Sequence, residues 1–294
     1  MLKTVLRPAF LAGSVLGVGP VCWWLTATLR GPDGGQGVAA LLSTSPALGL
    51  LRGAGAMALA GGVGVLTARL VSYRSGLFAA GLALAWSAYG SGGADTLLRS
   101  LGATGVVGGA WKLGAEGLML GLLGAVVAFL AGRVRAGLDD GHQGHEEPVP
   151  KIVGPLAALL ALPAGLVASW AVAQNTLPGQ ALAAGLMAGL LTALGGMIVH
   201  HRVNPAWSVL GLAFVAGLAP LSGLFMHKGV GQAVLLHANE GMLFPTLRLL
   251  PWHWVAGALL GVPFGLSLGA WLLAHKLHTE QMAADGTRST GGSR

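Results

Sequence analysis

The sequence predicts an all-α, polytopic transmembrane helical bundle of about eight spans, and three observations predict it. Charged side chains make up 9% of the 294 residues and the mean hydropathy is +0.71, too apolar to solvate a soluble surface of that size. Apolar runs of about twenty residues recur along the chain, and at ~1.5 Å rise per residue each covers the ~30 Å hydrocarbon core. Fifty glycines lie largely within those runs without a Gly-X-Y period, which excludes collagen and a flexible linker and points to closely packed helices.

The first span is read over residues 8–29, with Gly13 and Gly17 as a GxxxG pair and Trp23–Trp24 toward its far end. It follows Lys3 and Arg7 as a signal peptide would. The run is longer than a signal h-region, however, and no A-x-A pattern closes it, so a retained span is expected. Residues 36–51, with Pro46 central, are short for a span and are expected to be interfacial or re-entrant. Inserting 39–51 would give a nine-span alternative. Span 2 covers 53–71 and ends in Arg69 and Arg74; span 3 covers 76–91; a glycine-rich link over 92–109 carries Asp95 and Arg99.

Span 4, over 111–132, has Gly114, Gly117, Gly121 and Gly124 at spacings of three and four, a left-handed packing seam. The polar linker 133–152 follows. Span 5 covers 153–173 with Pro163 inside, span 6 covers 179–199, and span 7 covers 206–223. Span 8, from Trp252 to His278, has no charge between His253 and His275 and sets Gly257, Gly261, Gly265 and Gly269 at strict four-residue spacing. Each internal glycine costs a helix roughly 0.5–1 kcal/mol in water, but in lipid it strips one face to backbone so that another helix can approach. Pro263 is expected to kink this span. Residues 279–294 read as a disordered polar tail.

Residues 1–132 and 153–278 thus form two four-span halves. Thr96-Leu-Leu-Arg99 before span 4 is echoed by Thr246-Leu-Arg248 before span 8, and a four-plus-four duplication fits the way many transporters are built. Eight spans put both termini on one side. That side carries eleven Lys and Arg and the far side six, which orients both termini to the cytoplasm, in the cytoplasmic membrane of a bacterium. The formal charge of +7 lies between the spans, where it sets orientation, so nucleic-acid binding is not expected. A single cysteine, Cys22, rules out an intrachain disulfide and a CxxC pair.

Ionisable groups inside the bilayer are the first candidates for chemistry, since burying one costs at least ~2.5–3.5 kcal/mol. Glu116, about one turn inside span 4, has two readings: a group on a substrate or ion pathway, or a structural pair with Lys112 four residues earlier. The far-side loop 226–254 supplies Glu240 and His237, either facing a pore mouth or lying on the bilayer surface. In the polar linker, His142 and His145, followed by two glutamates, could hold a divalent metal weakly. No histidine falls near the centre of a span, so haem is not expected; quinone at a helix interface stays open. No P-loop and no H-E-x-x-H is present. The expectation is a permease for a small solute or ion rather than an enzyme. The alternative is a non-catalytic membrane subunit of a larger redox or translocating complex. Lipid, other membrane subunits or further copies of the chain are the expected partners.

Overall fold

The computed structural model describes residues 2–31, 34–36, 39–139, 153–200, 203–226 and 230–290. Among these, the structure is helical throughout, and the sole β feature is an isolated bridge between Arg30 and Gln36. The chain enters as α1 (Leu2–Gly13) and α2 (Gly19–Ala27), joined without a break by a π-turn over Ser14–Val18. Pro20 has no N–H to continue the i→i−4 ladder, and the ladder widens where that donor is missing. Then come α3 (Pro46–Leu70), α4 (Tyr73–Gly90), α5 (Ala94–Asp139), α6 (Val153–Val172), α7 (Pro178–Val199) and α8 (Pro205–Met226). A short α9 (Gly231–Asn239) and a 3₁₀ turn at Pro245–Leu247 lead into α10 (Pro251–Thr290).

Seven of these helical stretches are long and apolar enough to cross a membrane; the run from α1 into α2 counts as one of them. Helix α4 is not among them; it is more polar and enclosed by its neighbours. It returns antiparallel along α3, where Gly64 and Gly76 face each other's helix, and runs parallel to α2, with Trp86 on Gly19 and Gly90 on Trp23. Counted with α4, eight helical passes leave the two described ends of the chain at the same end of the bundle.

Several sequence boundaries move. Helix α3 begins at Pro46, so residues 46–52 belong to the span and not to a separate interfacial segment; proline at the first helical position loses no hydrogen bond there. The expected link 92–109 is helical from Ala94 and broken only at Gly102, whose φ of +65° lies in the left-handed region. Asp95 supports that start from the first turn and pairs with Arg99. The tail is helical to Thr290, because extending a formed helix through Lys, Leu, Glu, Gln, Met and Ala needs no new nucleus.

The core is held by small residues. A Cβ on Gly257 would lie 2.5 Å from the Leu186 nitrogen, one on Gly261 2.7 Å from the Leu190 nitrogen, and one on Gly265 2.9 Å from Ala193 Cβ. The last of the row, Gly269, faces Met197. The bare face of α10 therefore lies against α7 of the same chain, backbone on backbone. The seam of α5 meets α8 in the same way: Gly114 faces Gly217, Gly117 faces Ala216 and Gly121 faces Ala213, while Gly124 meets Val255 and Val209. Without a hydrophobic drive between helices in lipid, such van der Waals closeness is what holds them. Gly261→Ala is expected to cost about 1–3 kcal/mol, the usual penalty for overpacking. Gly13→Ala, whose Cβ would meet nothing within 4 Å, should be neutral. Thermal unfolding midpoints of the two variants in mild detergent check this.

Candidate functional site

Glu116 is fully buried in α5 and faces inward. Its partner is neither a cation nor another acid but backbone: Oε2 accepts the Leu41 N–H at 2.9 Å, and the Ala40 amide adjoins the same carboxylate. These amides open the 3₁₀ turn Ala40–Leu42, whose preceding residue Ala39 offers no side-chain cap. A helix start leaves N–H groups unsatisfied, and here a carboxylate from a residue far along the chain satisfies them. The other oxygen, Oε1, has no hydrogen-bond partner.

The turn itself is well fixed. Thr44 donates its N–H to the Arg30 carbonyl at 2.9 Å, and Ser43 Oγ donates to the Ala40 carbonyl at 2.8 Å. Helix α3 presses on it from below, since a Cβ on Gly49 would stand 2.5 Å from the Ala40 oxygen. Ala39, Ala40 and Leu42 are buried in an apolar cluster with Leu97, Leu113 and Leu250. Residues 39–44 thus form a plug at the far-side end of the bundle, and Glu116 is the anchor beneath it.

The pairing of Glu116 with Lys112, open from the i,i+4 spacing, is not made. Lys112 is exposed on the outer face of α5, and Glu116 bonds to backbone amide instead. The turn's amides lie on the inner face, which is where the carboxylate goes. Nor are Glu240 and His237 at this site. Glu240 is exposed at the end of α9, and His237 Nδ1 bonds the Ala233 carbonyl of its own helix at 2.7 Å. The loop that carries them packs on the bundle: Val234 and Ala238 of α9 meet Leu98, Val106 and Ala110 of α5. Arg248 ties its end down, donating from Nε to Leu243 and from Nη1 to the Ala173 carbonyl at the close of α6.

His253 is fully buried and caps α10, its Nδ1 accepting the Leu250 N–H at 3.0 Å. His142 and His145 lie outside the described residues, and among the described residues no group of three potential ligands could hold a metal. The sequence does contain a G-x-S-x-G, at Gly265-Leu266-Ser267-Leu268-Gly269. It does not form a nucleophile elbow, which needs a sharp strand-to-helix turn. Ser267 sits mid-helix, donating to the Pro263 carbonyl at 2.8 Å and accepting from Arg74 Nη1 at 3.3 Å. The Leu41 contact with Glu116 was not legible in the sequence, because nothing local links residues 75 apart.

Compared with protein-family models, curated proteins and solved structures, the chain matches none. The class rests on its own helices: an all-α bundle whose long apolar helices suit a membrane, with a carboxylate enclosed beneath a short plug.

Removing the anchor should loosen the plug. Leu42→Cys is expected to resist a membrane-impermeant maleimide when Glu116 is present. In a Glu116→Ala background it should react about tenfold faster, the factor set by ~1.4 kcal/mol of lost hydrogen bonding. Glu116→Gln keeps an acceptor oxygen and should restore protection.

Proposed function

We propose that the chain is a permease for a small cation, protons included, with Glu116 as the group that carries it and residues 39–44 as the far-side gate. The observation that carries this reading is a fully buried carboxylate on a membrane-crossing helix with no basic side chain paired to it. In so apolar a setting a carboxylate is neutralised by a proton or a cation, because an uncompensated charge costs several kcal/mol. One oxygen is held by backbone amide while the other is unpartnered, which suits a single small occupant. A cation that engages the carboxylate competes with the turn's amides for it, so loading and plug release are linked through one side chain. Proline-interrupted helices, Pro163 in α6, Pro220 in α8 and Pro263 in α10, fit a bundle whose halves rock against each other.

A second reading, a subunit of a larger membrane complex, is favoured by the first span, Val5–Ala27, most of which is left uncovered by the rest of the chain. The glycine rows of α10 and α5 are occupied from within, whereas the Gly13–Gly17 pair of this first span meets nothing within 4 Å.

The test is reconstitution into proteoliposomes on a solid-supported membrane, with concentration jumps of sodium, potassium, ammonium and protons. Wild-type protein is expected to give a transient current with at least one of them. Glu116→Gln should abolish it while leaving the circular dichroism and thermal midpoint unchanged. A current that survives in Glu116→Gln sinks the role of the carboxylate. Silence of the wild type toward all four ions sinks the permease reading, and co-purifying chains from mild detergent would then favour the subunit.

A further inference from the structure

Between α3 and the second half of α5 lies a cleft of about 540 Å³. Its walls are apolar, Ala54, Ala58 and Gly62 on one side and Leu123, Val126 and Leu130 on the other. Along it α3 runs from Ala54 to Arg69, a rise of about 22 Å. That length is comparable to one leaflet with its interface, given a ~30 Å core. The cleft is open at the perimeter of the bundle, where Ala54, Ala58, Gly62 and Leu66 are exposed.

One charged side chain lines it. Arg69 stands at the end nearer the chain termini, exposed and without a described ion pair or hydrogen bond. Among the described side chains around it the charge is of one sign. Arg133 sits over the Phe129 ring with its guanidinium carbon 4.8 Å from the centroid, and Arg74 follows at the start of α4. The described acidic side chains, Asp95, Glu116 and Glu240, all belong to the opposite half of the bundle.

A helix pair in the second half of the chain packs without such a cleft. There the second and fourth crossings, α7 and α10, meet backbone to backbone along four glycines. Here the corresponding pair, α3 and α5, touches where a Cβ on Gly61 would stand 2.8 Å from Val127 Cγ2, and is parted alongside by the cleft.

We infer that the cleft is a binding site for an anionic phospholipid, one acyl chain lying along the apolar walls and the phosphate resting on Arg69. Charge decides among occupants. A second copy held in the same membrane orientation would bring its own basic end to the same depth and be repelled there. A zwitterionic lipid gains less from an unpaired arginine, whereas basic pockets at helix ends select anionic headgroups. This site is independent of Glu116 and of the permease reading.

The experiment is native mass spectrometry of delipidated full-length protein given equal amounts of phosphatidylglycerol and phosphatidylcholine with identical acyl chains. Wild type is expected to retain the anionic lipid in about fivefold excess. Arg69→Gln should bring the ratio near one. Gly62→Leu, whose Cβ enters open space, should lower retention of both lipids with the thermal midpoint unchanged. Ala58→Leu repeats the block one turn earlier should Gly62→Leu unfold. Equal retention of the two lipids by wild type overturns the proposal, as does an undiminished excess in Arg69→Gln. Disulfide-linked dimers of Gly62→Cys would assign the cleft to a second copy instead.

Discussion

Close approach of helix backbones, with little side-chain bulk between them, is the constraint on which the rest of this structure depends. Lipid tails are as apolar as leucine, so helices surrounded by them gain little from hiding apolar side chains from each other. What remains is contact area at short range. Glycine and alanine supply it along α7 and α10 and along α5 and α8, where a single added methyl group would run into main chain. These two seams fix the inner part of the bundle, and α10 adds Leu259 and Leu260 against Gly81 of α4. The large side chains are displaced to the rim or to the ends. Leu, Phe and Trp cover the outer faces, while Trp252 and Trp254 are buried near the start of α10.

The same surroundings decide what happens to polar groups. Hydroxyls on the spans turn back to the carbonyl four residues earlier, as Ser14 does to Phe10, Thr67 to Val63 and Ser267 to Pro263. Irregular backbone is tolerated at membrane depth only where protein satisfies it. The plug over 39–44 obeys that rule through Arg30, Ser43 and Glu116. Glu116 completes the amides of a turn with one oxygen and leaves the other without a hydrogen-bond partner. The cleft between α3 and α5 stands apart from this, toward the other end of α5 and on the outer face, with Arg69 in its lining.

How much was legible depends on the range of the interaction concerned. Hydropathy and length are local sums, so the all-α spanning character, the glycine faces and the burial risk of Glu116 could be read directly from residues in a row. Boundaries were less secure. Pro46 looked like an interruption and is a helix start, and the glycines of 92–109 looked like a link when one of them, Gly102, makes the break. The i,i+4 spacing of Lys112 and Glu116 allowed a pair, but spacing does not say which way a helix face is turned. The spelling G-x-S-x-G at 265–269 needs a turn to become a nucleophile, and a continuous helix denies it one.

By itself the sequence determined that this chain is a set of apolar helices with bare backbone ridges and one acid among them, because those properties belong to single segments. Only the tertiary structure decided that the ridge of α10 is filled by α7 of the same chain, that Glu116 is answered by amides 75 residues earlier, and that α3 and α5 stand apart over a basic end. Each of those is a contact between segments remote in the chain, fixed by how whole helices pack rather than by any pattern one helix carries.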